Sequence, residues 1–203
     1  VISTLGALNR VTQAKLNEAA SRFAEMVEHL PHPRVAVLIG GANRAYRMSD
    51  GDTKVLLDGL DRLMTAEGAG LMVTASRRTG SDYAARLRTA LQNKPALIWD
   101  GSGDNPYFGF LGLADAIVVT ADSVSMTSEA CTTGKPVYVA ELSCGNAKFK
   151  RFHATLIDQA YTRPFNGELS SEPGRRLNET ATIANEVRRR LGDRASRPST
   201  AGY

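Results

Sequence analysis

The apolar run Val35-Ala-Val-Leu-Ile39, closing on Gly40-Gly41, restricts the fold of this chain more than any other feature. So short an apolar run ending on two glycines reads as a strand buried on both faces. Strands of that kind belong to parallel sheets, in which crossover helices cover both sides.

The remaining sequence supplies those helices and the other strands. Leu16, Ala19, Ala20, Phe23, Met26, Val27 and Leu30 recur at steps of three and four, which predicts an amphipathic helix over 12–30, ended by Pro31 and Pro33. Helical spacing returns over 53–66 through Val55, Leu56, Leu60, Leu63 and Met64, and stops at Gly68 and Gly70. A second strand is expected over 70–75, a helix capped by Ser81 or Asp82 over 81–91, and a third strand over 95–99 that leads into a polar loop ending at Pro106. A short apolar segment at 107–113 precedes a fourth strand over 116–120 and a helix over 123–132 ended by Gly134. The fifth strand, over 135–140, has Pro136 near its start, where a missing N–H is tolerated. Further helices are expected over 149–159 and 176–191. Strands alternating with helices at about 25 to 30 residues per unit imply right-handed βαβ crossovers. The expected fold is therefore α/β and Rossmann-like, three αβα layers around a mainly parallel sheet.

With 203 residues, 42% of them apolar and 23% charged, the chain is large enough for one substantial core. The expected organisation is one domain over 1–191 and a disordered tail over 192–203, rich in Ser, Arg, Pro and Gly. No stretch approaches the roughly 18 to 20 apolar residues of a membrane-spanning helix, so a soluble chain is expected. Val1 to Leu5 does not read as a signal peptide but as the inside of a structured segment, which suggests a piece of a longer protein. Cys131 and Cys144 have neither the number nor the spacing of a disulfide framework, and a reducing cytoplasm is the expected location. His29, His32 and His153 lack metal-ligand spacing, so no metal site is expected. The net charge of +4 is concentrated at Arg77-Arg78, 148–151 and 188–190. Such clusters attract anionic ligands or an anionic membrane surface. Without interleaved aromatic residues for base stacking they do not indicate nucleic acid.

Ligands of open parallel sheets bind outside the carboxyl ends of the strands, so the chemistry should lie in the loops there. After the first strand, Gly40 and Gly41 permit close backbone approach and offer N–H groups to phosphate oxygens, with Asn43 and Arg44 beside them. The segment is not the Gly-x-Gly-x-x-Gly fingerprint, and Lys135 is no P-loop lysine because Pro136 follows it, so classical NAD and ATP sites are disfavoured. After the second strand, Ser76, Arg77 and Arg78 offer guanidinium forks suited to phosphate. The most informative segment runs from Thr120 to Ala130. With Asp122 or Ser123 as N-cap, the first helical turn presents free N–H groups and hydroxyls, Ser125 and Ser128 among them, to an anion. Ser125 and Glu129 are four residues apart and share a face, with the carboxylate one turn deeper, where it could accept from ribose hydroxyls. Each feature has a plainer reading: a tight turn, solvated arginines, a capped helix with a surface Glu. Trp99 is read as a core residue, with a base pocket as the other possibility.

These residues carry a resemblance. Thr120-x-Asp-Ser-Val-Ser-Met-x-Ser-Glu-Ala130, the following Thr133-Gly-Lys-Pro-Val137, and Asp100-Gly-Ser-Gly-Asp-Asn-Pro-Tyr107 are similar to the mitochondrial-fission (elongated-mitochondria type) family, over about 1–163. That family was long classed as a domain of unknown function, and its bacterial members are described as nucleoside-diphosphate-sugar enzymes. The resemblance implies the C-terminal, nucleotide-sugar-binding domain of a glycosyltransferase, one half of a GT-B-type architecture. It places Glu129 at the ribose, Ser123 and Ser125 at the phosphates, and Asn105 near the base or sugar. It further implies a nucleoside-diphosphate sugar as donor substrate, no cofactor, and an absent N-terminal domain of the same protein that supplies the acceptor site. The alternative it carries is a non-catalytic interaction module, because plant members are associated with recruiting fission machinery to a membrane. The basic clusters would then meet a partner or an anionic bilayer, and the protein would be peripheral to the membrane. A sugar epimerase is disfavoured by the residues themselves: the NAD fingerprint is missing, and no Tyr has a Lys four residues later.

Overall fold

Strand β1 (Arg34–Ile39) is central because nothing along it can be left to water: Val35, Ala36, Val37, Leu38 and Ile39 are all fully buried. Around it lie β2 (Gly70–Ala75), β3 (Ala96–Ile98), β4 (Ala116–Thr120), β5 (Val137–Ala140) and β6 (Arg163–Pro164). In the computed structural model the six strands pair in the order β3-β2-β1-β4-β5-β6, and every pair is parallel. The structure describes residues 1–43, 46–76 and 78–195, with the backbone only at 81–82 and 192–195. Arg44, Arg77 and residues 196–203 of the expected tail lie outside the described residues.

The helices are α1 (Gln13–Phe23), α2 (Asp50–Ala66), α3 (Ser81–Leu91), α4 (Tyr107–Leu113), α5 (Val124–Thr133), α6 (Ala147–Asp158) and α7 (Glu179–Ala195). Side chains alternate across a strand, so each strand feeds both cores. Ala36, Leu38, Met72, Ile117, Val119, Val137 and Val139 pack with Leu16 of α1, Phe110 and Leu111 of α4, and Ala130 and Cys131 of α5. Val35, Val37, Ile39, Leu71, Val73, Val118 and Tyr138 pack on the other face with Leu56, Leu60 and Leu63 of α2 and Leu87 and Leu91 of α3. The result is the expected α/β Rossmann-like arrangement of three layers. Among the described residues no helix is long and apolar enough to cross a membrane.

Several local features differ from the sequence-based expectation. The first helix stops at Phe23 and tightens into a 3-10 turn at Glu25–Val27, although Val27 and Leu30 remain buried as the apolar spacing requires. Helix α2 begins at Asp50 rather than near Thr53, because Ser49 and Asp52 form a reciprocal capping box ahead of the first apolar residue. The N-cap position of α3 is Gly80, at φ 85°, one residue ahead of the expected Ser81 or Asp82. The apolar segment before β4 is a helix, and α7 continues through Ala195. The sheet has a sixth strand: β6 is two residues long, on an edge where Pro164 needs no donor. Pro136 lies just ahead of β5, which is an interior strand.

Candidate functional site

Between β1 and β4 the strand order reverses direction, and such a switch point opens a crevice at the carboxyl ends of the strands. The two loops that leave it are tied together. Thr120 Oγ1 accepts from the Gly40 N–H at 2.8 Å and donates to Asp122 Oδ1 at 2.6 Å. The Asn43 side-chain amide donates to the Asp122 carbonyl at 3.0 Å, and its oxygen accepts from the Tyr46 N–H at 3.0 Å. Burial raises the Asp122 carboxyl pKa, against the opposing pull of Thr120, the charge of Arg78 and the Gly41 N–H.

Gly40 and Gly41, expected to offer N–H groups to a phosphate, also have a role in packing. The Gly40 N–H is spent on the Thr120 hydroxyl inside the protein. The glycines allow close packing: a Cβ on Gly40 would collide with the Asp122 carboxylate, and one on Gly41 with the Arg78 backbone. Ser128 faces the protein interior. It is fully buried, its hydroxyl donating to the Val124 carbonyl at 2.8 Å and accepting from the Ala7 N–H at 2.9 Å, which fastens the N-terminal segment to α5.

The start of α5 is open. Ser123 is the N-cap, accepting from the Met126 N–H at 3.3 Å, while its carbonyl takes both the N–H and the hydroxyl of Thr127. The N–H groups of Val124 and Ser125 have no place in the helical ladder and, with the helix dipole, favour an anion. Ser125 is exposed. Arg78, exposed in the turn after β2, lines the space in front of them.

One turn deeper, Glu129 accepts from the Tyr107 hydroxyl at 2.6 Å. Burial raises the Glu129 pKa, with the Tyr107 bond opposing it; burial and the neighbouring carboxylate push the Tyr107 phenol up, so it keeps its proton and donates. These residues line a cleft of about 810 Å³ together with Thr74, Ala75, Ser76, Trp99, Asn105 and Met126. A second chamber of about 380 Å³ shares Arg78, Ser123 and Ser125 with it and adds Asn43, Asp122, Val124, Asn146 and Phe149. Of the expected site residues, Ser76, Arg78, Asn105, Ser123, Ser125 and Glu129 thus meet in the first chamber, and Asn43 and Asp122 reach the second. Asn105 is partly committed: its oxygen accepts from the Tyr107 N–H at 2.9 Å. Trp99 is half-buried, packing against the core while it also lines the cleft, with its indole N–H on the Ser102 carbonyl at 2.8 Å.

Sequence reasoning did not reach the residues that hold these loops. Asp52 accepts from the Ser143 N–H at 2.7 Å and the Ser143 hydroxyl at 3.0 Å, joining α2 to the β5–α6 loop. Tyr46 meets Phe149 edge-on, with ring centroids 4.9 Å apart. His153 holds the Ala121 carbonyl at 2.8 Å through Nε2, which must be the protonated nitrogen because a carbonyl only accepts. Nδ1 is buried without a partner among the described residues. Burial lowers the His153 pKa, while the Ala121 contact pulls the other way.

A family model described as "Mitochondrial fission ELM1" matches residues 1–191. "Mitochondrial fission protein ELM1" of Arabidopsis thaliana is 38% identical over 200 residues, covering 96% of this chain and 46% of the relative. "Uncharacterized protein RP120" of Rickettsia prowazekii (strain Madrid E) is 31% identical over 201 residues, covering 93% of this chain and 54% of the relative. The chain therefore spans about half the length of the curated relatives it matches. Among solved structures, MurG of Acinetobacter baumannii superposes with a TM-score of 0.45 at 13% identity, over 86% of this chain and 44% of that chain.

Proposed function

The chain belongs to the Mitochondrial fission ELM1 family, and from that premise and the chemistry of the cleft we propose that it is the nucleoside-diphosphate-sugar-binding domain of a GT-B-like glycosyltransferase. The observation that carries this reading is the convergence of the open α5 N-terminus, Arg78 and the Tyr107–Glu129 pair on one cleft at the switch point. An anion-binding end and a hydroxyl-binding end, one helical turn apart, suit a nucleotide: the diphosphate faces Val124, Ser125 and Arg78, and Glu129 accepts from the ribose. Preorganised N–H groups and a guanidinium would also stabilise the charge that develops on a departing nucleoside diphosphate. The acceptor site and the catalytic base belong, on this reading, to the remainder of the longer protein.

A thermal-shift screen against UDP, GDP, CMP, ADP and their sugars tests the proposal. A ligand at about 100 times its Kd adds about 2.7 kcal/mol of stability, which a melting curve resolves. The expected result is a shift with one nucleotide that Glu129→Ala abolishes; no shift with any of them, or an equal shift in the variant, overturns the site.

A second reading rests on one observation. Lys148, Lys150 and Arg151 are all exposed in the first turns of α6, the positive end of its dipole, where cations lower helix stability. That placement favours an anionic partner outside the cleft, an anionic bilayer surface included. Co-sedimentation with phosphatidylserine vesicles at low salt tests it, and no binding by the wild type rejects it.

A further inference from the structure

A cavity of about 360 Å³ lies under α6, beside the carboxyl ends of β4 and β5, and none of its described lining residues belongs to either chamber of the cleft. Small-molecule sites usually measure about 300 to 1,000 Å³, with apolar walls and a few polar groups. Val139, Leu142, Ile157 and Pro164 supply an aliphatic wall. Tyr46 closes one side: it is only 4% exposed, yet its hydroxyl has no partner among the described residues and is not sealed from solvent. A hydroxyl left unmatched in so buried a residue is costly, and beside a cavity it points to a guest. Burial raises the pKa of the Tyr46 phenol, and Cys144, Asp122 and Glu141 add to the rise, so the proton stays on. His153 stands in the same wall with Nδ1 unpartnered among the described residues. Glu141 and Lys150 also line the cavity; both are exposed, and neither side chain has a hydrogen bond or ion pair among the described residues. A purely aliphatic guest leaves all these polar groups unmatched, and a purely anionic one meets Glu141. A guest with an ammonium, a carboxylate and an aliphatic body matches each in turn.

We infer that this cavity binds a small zwitterion with an aliphatic side chain, an apolar α-amino acid, at a site separate from the nucleotide cleft. The ammonium donates to the Glu141 carboxylate and to the Tyr46 oxygen, both of which accept. The carboxylate accepts from Lys150. The side chain lies on Val139, Leu142, Ile157 and Pro164. Burial of that side chain supplies most of the affinity, while the two charges fix its orientation.

The test is calorimetric titration with L-leucine and with two analogues, isocaproate, which lacks the ammonium, and isoamylamine, which lacks the carboxylate. The wild type is expected to bind leucine about tenfold more tightly than either analogue, the worth of one charge-assisted hydrogen bond. Glu141→Gln should remove the advantage over isocaproate and keep that over isoamylamine, and Lys150→Gln should do the reverse. Both residues are exposed, so neither change threatens the fold. Tyr46→Phe keeps the ring and its edge-on contact with Phe149, at 4.9 Å between centroids, and should weaken leucine about fivefold. No binding of leucine at millimolar concentration overturns the site, and so does binding that neither Glu141→Gln nor Lys150→Gln weakens. An analogue that binds the wild type as tightly as leucine overturns the zwitterion. Each outcome is independent of whether the cleft takes a nucleotide, because the two sites share no described lining residue.

Discussion

Replacing Asp52 with Ala should cost the chain about 3 kcal/mol of stability, because one carboxylate closes a helix cap and tethers a distant loop at the same time. Oδ2 accepts from the Ser49 N–H at 2.9 Å and the Ser49 hydroxyl at 2.7 Å, and the Ser143 N–H and hydroxyl complete the set at 2.7 and 3.0 Å. The residue is only 8% exposed, so water replaces these bonds poorly once the acceptor is gone. Losing an N-terminal cap costs about 0.5 to 2 kcal/mol, and a hydrogen bond to a charged group is worth about 1.5 to 3 kcal/mol. Relaxation of the Ser143 loop into solvent recovers part of that sum. Asp52→Asn keeps an acceptor oxygen and should lose about half as much. Equilibrium urea unfolding, followed by far-ultraviolet circular dichroism and Trp99 fluorescence, reads the change as a lower midpoint at unchanged slope. The pH dependence is a second check. Burial alone would raise this carboxyl, but the bonds from Ser49 and Ser143 outweigh it and hold the group below its ordinary 3.8. A carboxyl depressed on folding contributes stability that is complete above its unfolded pKa and lost as pH falls through the folded value. The gap between wild type and variant should thus be constant from neutrality to about pH 4 and narrow below it. A loss under about 1 kcal/mol, or a gap that stays open in strong acid, refutes the reasoning.

Gly41→Ala should lower Tm more than Gly40→Ala, because the new methyl meets the Arg78 backbone in the first case and the movable Asp122 carboxylate in the second. Overpacking of this kind costs about 1 to 3 kcal/mol or more, and equal, negligible shifts in a melting curve would contradict the close-packing role. Ser128→Ala should lose about 1 to 2 kcal/mol in urea, through the freed Ala7 N–H, and leave nucleotide affinity unchanged; a weakened affinity would return Ser128 to the ligand site. His153 is depressed below its ordinary 6.5, so its contribution is complete above that value and is lost as pH falls from there through the folded pKa. Urea midpoints of the wild type should fall from about pH 7.5 to 5.5 more steeply than those of His153→Gln, and parallel profiles would rule the residue out as the cause.

How much of this was legible in the sequence depended on the range over which each feature is encoded. Strands β1, β2 and β4 carry their own signal, a short apolar run with punctuation after it, because a strand buried on both faces must be apolar throughout. Strand β6 carries none: two residues have no period, and Arg163 and Pro164 pair with β5 only because the chain after α6 returns to that edge. The start of α2 is legible in the Ser49–Asp52 spacing, three residues apart, which lies ahead of the apolar spacing that sets the expected start at Thr53. Tyr107 illustrates the limit at the site. It opens an apolar helix and reads as core, and its partner Glu129 is 22 residues away, joined to it only when α4 and α5 pack side by side.

Polar residues at the sheet edge looked alike in the sequence, and hydrogen-bond accounting separates them. Gly40, Asn43 and Asp122 spend donors and acceptors on each other and on Thr120, so they set the shape of the switch point. Ser128 spends its hydroxyl on Val124 and Ala7, within the helix and its N-terminal strap. Capacity remains at the Val124 and Ser125 N–H groups, at the exposed Arg78, and at Glu129 Oε1, and all of them face the same two chambers. A buried polar group left unmatched costs about 1 to 3 kcal/mol, so a fold has reason to close such accounts wherever it can. Where several stay open along one crevice, with positive groups at one end and an acceptor at the other, the arrangement suits the proposed ligand, whose pattern is the opposite. An anionic diphosphate joined to a hydroxyl-bearing sugar has that pattern, and the proposed orientation puts the diphosphate at the first turn of α5 and the sugar at Glu129, one turn along the same helix.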